Sequence, residues 1–104
     1  MSIRALHFIC KYQENWQRVQ GQEFETGHWV VSDQVADEAR DDGARVYLHE
    51  EQKAPAWHGG TITSWHPSPT DPERRKIFRY VVDGPFRVKC EQNWGQERAI
   101  IRDL

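Results

Sequence analysis

The chain has 104 residues, 38% of them hydrophobic and 29% charged, with a net charge of −2. That length holds one domain over residues 1–104 with a modest core, and the composition excludes a disordered chain. Residues 1–70 carry six basic against ten acidic side chains and residues 71–104 eight against six, which excludes a broadly basic surface for gripping duplex backbone and leaves at most a local basic face.

No segment approaches a membrane span, and Met1-Ser2-Ile3-Arg4 opens no apolar run of signal-peptide length, so a cytoplasmic protein with no membrane partner is expected. Cys10 and Cys90 lack any CxxC context and read as small reduced core residues.

Residues 3–10, IRALHFIC, are apolar at nearly every position and predict a central strand. Residues 11–27 are polar, anchored by Trp16, Val19 and Phe24, and read as a short helix plus loop or as a covering loop. His28 to Val31 resumes as strand. Ser32 is an N-cap, Asp33 suits the positive end of the helix dipole, and Gly43 is a stop, which predicts a helix over 33–41. Asp37, Glu38, Arg40 and Asp41 are expected to face water on it.

Residues 46–50 alternate, with Val46 and Leu48 on one face and Tyr47 and His49 on the other. A loop holding Pro55, Trp57 and His58 follows, then a Gly59-Gly60 hinge and a strand over 61–65. The prolines of 66–72 break the chain. Strands are expected over 76–82 and 86–90, the latter near a sheet edge after the Asp83-Gly84 turn and Pro85. Trp94-Gly95-Gln96 reads as a second hinge before a last strand over 97–101. The expected fold is α+β, a small curved, mostly antiparallel sheet or β-barrel with one or two short helices.

His49, His58 and His66 lack metal-ligand spacing, and no phosphate loop, dinucleotide fingerprint or nucleophile elbow occurs, so neither a metal nor a cofactor is expected. The set that draws attention is Tyr47, His49, Glu50, Lys53, Trp57, His58 and Trp65. If the two strands of 46–65 lie side by side, these residues line one concavity, with Trp29 and Trp94 adding to its wall and Gly59 and Gly60 permitting close approach. Flat walls with a few hydrogen-bonding edges suit a nucleobase-containing ligand, RNA or a modified base. The bland alternative packs Trp65 and Tyr47 against the helix or the 11–27 segment and leaves Glu50, Glu51 and Lys53 solvated. Two further readings stay open: a small hydrolase acting on a nucleoside or amide, with Glu50, Lys53 and His58 as acid and base, and a protein-interaction accessory subunit whose exposed aromatics mark an interface. A homo-oligomer is equally open.

In layout the chain resembles the PUA-like superfamily of small β-barrels, in particular its EVE and ASCH branches. The resemblance runs over residues 28–65: the aromatic strand His28-Trp29-Val30-Val31, a helix, Gly43, the strand Arg45 to His49, a loop, and Gly59-Gly60-Thr61-Ile62-Thr63. The chain departs from the EVE branch in carrying Gly43-Ala44 where that branch has a Gly-Asp pair. The resemblance implies recognition of RNA or a modified nucleobase in a cleft beside the barrel, with Trp29, His49, Gly59 and Gly60 at shared positions. It also implies that some relatives are small hydrolases using a lysine and an acid. A bacterial or phage domain sharing only the shape fits the same pattern.

Overall fold

The structure, a computed structural model, describes residues 2–90, 94–95 and 98–102. Its elements are β1 (Ile3–Ile9), a 3-10 turn (Lys11–Gln13), β2 (Trp16–Gln20), β3 (Glu23–Val30), α1 (Asp33–Asp42), β4 (Arg45–His49), β5 (Ala56–Pro67), β6 (Arg75–Val81) and β7 (Arg98–Arg102). The seven strands form one sheet in the order β2-β3-β6-β5-β4-β1-β7. β1 runs parallel to β4, and every other described pair is antiparallel. The fold is therefore α+β with a mostly antiparallel sheet, and no ladder joins the edge strands β2 and β7 among the described residues.

The apolar character of β1 on both faces puts it inside the sheet, between β4 and β7. Its inner face, Leu6 and Phe8, joins Val46, Leu48, Ile62, Phe78 and Tyr80 in the main core. The sheet curls toward that face. β2 and β5 are three strands apart, about 14 Å in a flat sheet, yet the rings of Trp16 and Trp57 are 5.1 Å apart.

α1 closes the inner face because its sequence starts and stops it cleanly. The Ser32 hydroxyl accepts from the Val35 amide at 3.2 Å, and Gly43 caps the far end at φ 63°, a conformation glycine adopts without Cβ strain. Ala36 and Ala39 are fully buried and bring the helix close to β1 and β5. The face expected to be solvated does more than meet water: Asp37 accepts from the Trp65 indole, Glu38 pairs with Arg102 and Asp42 accepts from the Ile3 amide. Substitution Ser32→Ala orphans one helix donor and is expected to cost about 1 kcal/mol; a urea midpoint unchanged from wild type would show that the cap contributes nothing.

Three expectations are corrected. Residues 16–30 form the β2–β3 hairpin, not a helix or covering loop, because Gly21 turns the chain at φ 49° and the strands on either side pair. Trp57 and His58 lie in a strand, and Gly59-Gly60 is strand interior, not a hinge. A Cβ on Gly59 would sit 2.4 Å from the Val46 carbonyl oxygen, and one on Gly60 would sit 2.1 Å from that of Val81, so the glycines let neighbouring backbones approach. Finally, residues 82–90 contain no strand. They carry the chain from β6, in mid-sheet, toward β7 at the far edge, and so must run across the sheet as a strap. Arg45 holds the strap through the Asp83 carboxylate at 2.7 Å and the Pro85 carbonyl at 3.0 Å, and Val88 accepts from the Ala56 amide at 2.8 Å.

Candidate binding cleft at His28

The ladders of the sheet contain register shifts that decide where every ring points. Leu48 pairs with His58 but His49 pairs with Ala56, so Trp57 is an extra residue; Ile62 pairs with Tyr80 but Ser64 pairs with Arg79, so Thr63 is another. Each bulge inverts the alternation beyond it. Tyr47 and His49 consequently face the outside of the sheet while Trp57, His58 and Trp65 face the inside, and the expected common concavity does not form from them.

On the inner face, Trp16, Phe24, Trp57, His58 and Tyr80 pack ring on ring, with Trp16 stacked on Phe24 at 5.2 Å and Phe24 edge-on to His58 at 4.7 Å. The Trp16 indole donates to the buried Tyr80 hydroxyl at 2.7 Å, and the hydroxyl proton is then placed to reach His58 Nδ1, also at 2.7 Å. This assigns the proton of neutral His58 to Nε2, and burial lowers its pKa from the ordinary value. Burial likewise raises the Tyr80 phenol. Trp65 lies over the buried Lys76 ammonium and donates to Asp37, and Trp29 stacks on Phe8 at 4.4 Å with its indole donating to Thr26. Glu50 and Lys53 are exposed in the β4–β5 turn, and no hydrogen bond or ion pair among the described residues joins them to His58.

The outer face holds a pair of buried imidazoles, His7 and His49. His7 Nδ1 meets His49 Nε2 at 2.8 Å, and His49 Nδ1 meets the Ala54 carbonyl at 2.9 Å. A carbonyl only accepts, so His49 carries its proton on Nδ1 and accepts on Nε2, and His7 donates from Nδ1. Tyr47 stacks on His7 at 4.9 Å, and Trp94, whose indole donates to the Gln52 carbonyl, stands edge-on to both imidazoles. Those rings are spent on each other.

Among the described residues, open space lies at the bulge of β3 where Gly27 and His28 together oppose Ile77. One lobe of about 270 Å³ is lined by Asn15, Trp16, Gln17, Glu25, His28 and Ile77. A second of about 200 Å³ shares Asn15 and His28 and adds Ile9, Cys10, Lys11, Glu14, Gly27 and Trp29. A more open hollow of about 360 Å³ at the β2–β3 turn has Glu23 as its one titratable group and no ring.

His28 is the pivot of the two lobes. The buried Ser68 hydroxyl holds its Nδ1, Arg75 donates to its carbonyl at 2.8 Å, and Nε2 has no partner among the described residues. Glu25 is set by its ladder neighbours: Gln17 donates to one oxygen at 3.2 Å and Arg79 to the other at 3.0 Å. Burial works to raise its pKa, but these hydrogen bonds and the Arg79 charge outweigh that, so the carboxyl is held below its ordinary value and is charged at neutral pH. Cys10, at the floor of the smaller lobe, has its thiol pushed up to about 11 by burial, then by Glu50 and Glu14, and is not a nucleophile there.

The cleft thus offers an imidazole, two side-chain amides and a fixed carboxylate around about 270 Å³ of open space, while the Trp16 ring is turned to the inner face. Of the residues expected at a site, Trp29 alone borders it. Asn15, Trp16, Gln17 and Glu25 were missed because the 11–27 segment was not read as a hairpin, and His28 because it stood on a strand with no hairpin partner; Gly21 between Trp16 and Phe24 was the available signal. Among the described residues no three His, Cys, Asp or Glu side chains converge as metal ligands, and no helix is long and apolar enough to cross a membrane. Comparison with family models, with curated proteins and with solved structures finds no match to the chain.

Proposed function

We propose that this chain is a PUA-like binding module that recognises a nucleobase-containing ligand, RNA or a modified base, in the cleft at His28. The observation that carries the reading is the meeting of the His28 imidazole with Asn15, Gln17 and Glu25 around about 270 Å³ of open space. A base presents donors and acceptors around its edge and a flat π-face. The Asn15 amide both donates and accepts, the Glu25 carboxylate accepts, and the unpartnered nitrogen of His28 supplies one more edge. The His28 ring and Ile77 supply the apolar contact.

The test is an NMR titration with the four common nucleosides, their methylated forms and short RNA. Resonances of Asn15, Gln17, Glu25 and His28 should shift together, and Asn15→Gly, which removes the exposed amide and keeps the left-handed backbone of φ 56°, should weaken binding about tenfold, the effect of about 1.4 kcal/mol from one lost hydrogen bond. If no nucleoside or RNA moves those resonances, the proposal is wrong.

A further inference from the structure

The turn that carries Lys11 and Asn15 into the cleft also carries Tyr12, and Tyr12 is 87% exposed. Three side-chain-bearing residues in this turn have left-handed backbone: Tyr12 at φ 58°, Gln13 at φ 56° and Asn15 at φ 56°. Asparagine tolerates that region, but tyrosine and glutamine do so only at a conformational cost, because the Cβ crowds the backbone. The chain spends that cost on holding a large aromatic ring out in water instead of in the core. Among the described residues no ring packs against Tyr12, whereas each of the five tryptophans donates an indole hydrogen bond.

Lys11, next in sequence, lines the smaller lobe together with Glu14. A lobe, a cation on its lining and an exposed ring one residue further along the turn offer in turn the contacts that a dinucleotide needs: base, phosphate, next base. We propose that the ligand of the His28 cleft is a single strand of nucleic acid, bound with one base in the larger lobe, the following phosphate at Lys11 and the neighbouring base stacked on Tyr12. This rests on the reading of the cleft given above.

The electrostatics set the strength of the backbone contact. Glu14 shares the lobe with Lys11 and the chain is net negative, so one phosphate is engaged, not a run of them. For a single strand one neutralised phosphate gives a log–log salt slope of about −0.7, far shallower than that of a protein tracking a backbone.

The experiment compares a nucleoside with ribo- and deoxyribo-dinucleotides of the same base by calorimetry, for wild type, Tyr12→Ala and Lys11→Ala. Lys11 and Tyr12 are both exposed, so both variants should fold, and circular dichroism checks this. The dinucleotide should bind more tightly than the nucleoside. Tyr12→Ala should weaken the dinucleotide about tenfold, within the range for one base–aromatic stack, and leave the nucleoside unchanged. Lys11→Ala should flatten the salt slope of the dinucleotide toward zero. A dinucleotide that binds no better than the nucleoside, or that ignores Tyr12→Ala, overturns the stacking step while the cleft reading stands. If neither nucleoside nor dinucleotide binds, both fall together. The ribo and deoxyribo arms then separate RNA from DNA as the strand.

Discussion

Gly60→Ala should leave little folded protein, and Gly59→Ala should be nearly as damaging. The new methyl at position 60 would sit 2.1 Å from the Val81 carbonyl oxygen and 2.7 Å from its carbon. Both obstacles are backbone, held in place by the Thr61–Val81 rung of the β5–β6 ladder, so no side chain can swing aside. The strands must part, and β5 and β6 occupy the middle of the sheet with the core on them. Overpacking of this kind exceeds the usual cost of about 1–3 kcal/mol because the ladder itself is broken. Against a total stability of about 5–15 kcal/mol, that removes much of the margin. Gly21→Ala is the control: its methyl would meet nothing within 4 Å, and only the positive φ of 49° penalises it, by about 1 kcal/mol. Chemical denaturation of the three variants separates these cases, and equal midpoints for Gly60→Ala and Gly21→Ala would contradict the close approach.

Acid should destabilise the protein well above the carboxylate range. Burial, then the His49 and Arg4 charges, lowers the His7 pKa from 6.5 to about 4. The unfolded chain therefore takes up a proton near pH 6.5 that the folded chain refuses until about pH 4. Within that window the unfolded state binds more protons, so stability is complete above pH 6.5 and falls as the pH drops toward 4. Two and a half pH units correspond to about 3 kcal/mol. Burial lowers His49 and His58 in the same direction, and since His7 and His49 share a hydrogen bond their part of the loss belongs to the pair. Glu25, Glu38 and Asp83 are lowered too, but a lowered carboxylate loses its contribution only below its ordinary value of 4.5 for glutamate or 3.8 for aspartate. Denaturant midpoints measured between pH 7 and 5 thus isolate the imidazoles. His7→Gln should flatten that limb; a limb equally steep in the variant would assign the acid sensitivity elsewhere.

Both predictions turn on residues whose type was plain in the sequence and whose surroundings were not. Gly59 and Gly60 were legible as positions of close approach, yet what approaches is the carbonyl of Val46 or Val81, which strand pairing alone supplies. His7 and His49 each stood on a readable strand, but they meet only because β1 lies parallel to β4, a pairing between segments 42 residues apart.

What the sequence by itself determined is local: a helix over about 33–41 between the Ser32 cap and the Gly43 stop, strands near 3–10, 46–50 and 76–82, and the α+β class with a mostly antiparallel sheet. Caps, alternation and turn residues act over a few positions, so the information lies within each segment. What only the tertiary structure decided is which face each ring occupies and where space remains. Extra residues at Trp57, at Thr63 and at Gly27-His28 invert or interrupt the alternation, and a bulge is set by the partner strand, not by the strand that carries it. That is why the rings of 47–65 divide between two faces and the cleft opens at His28 instead.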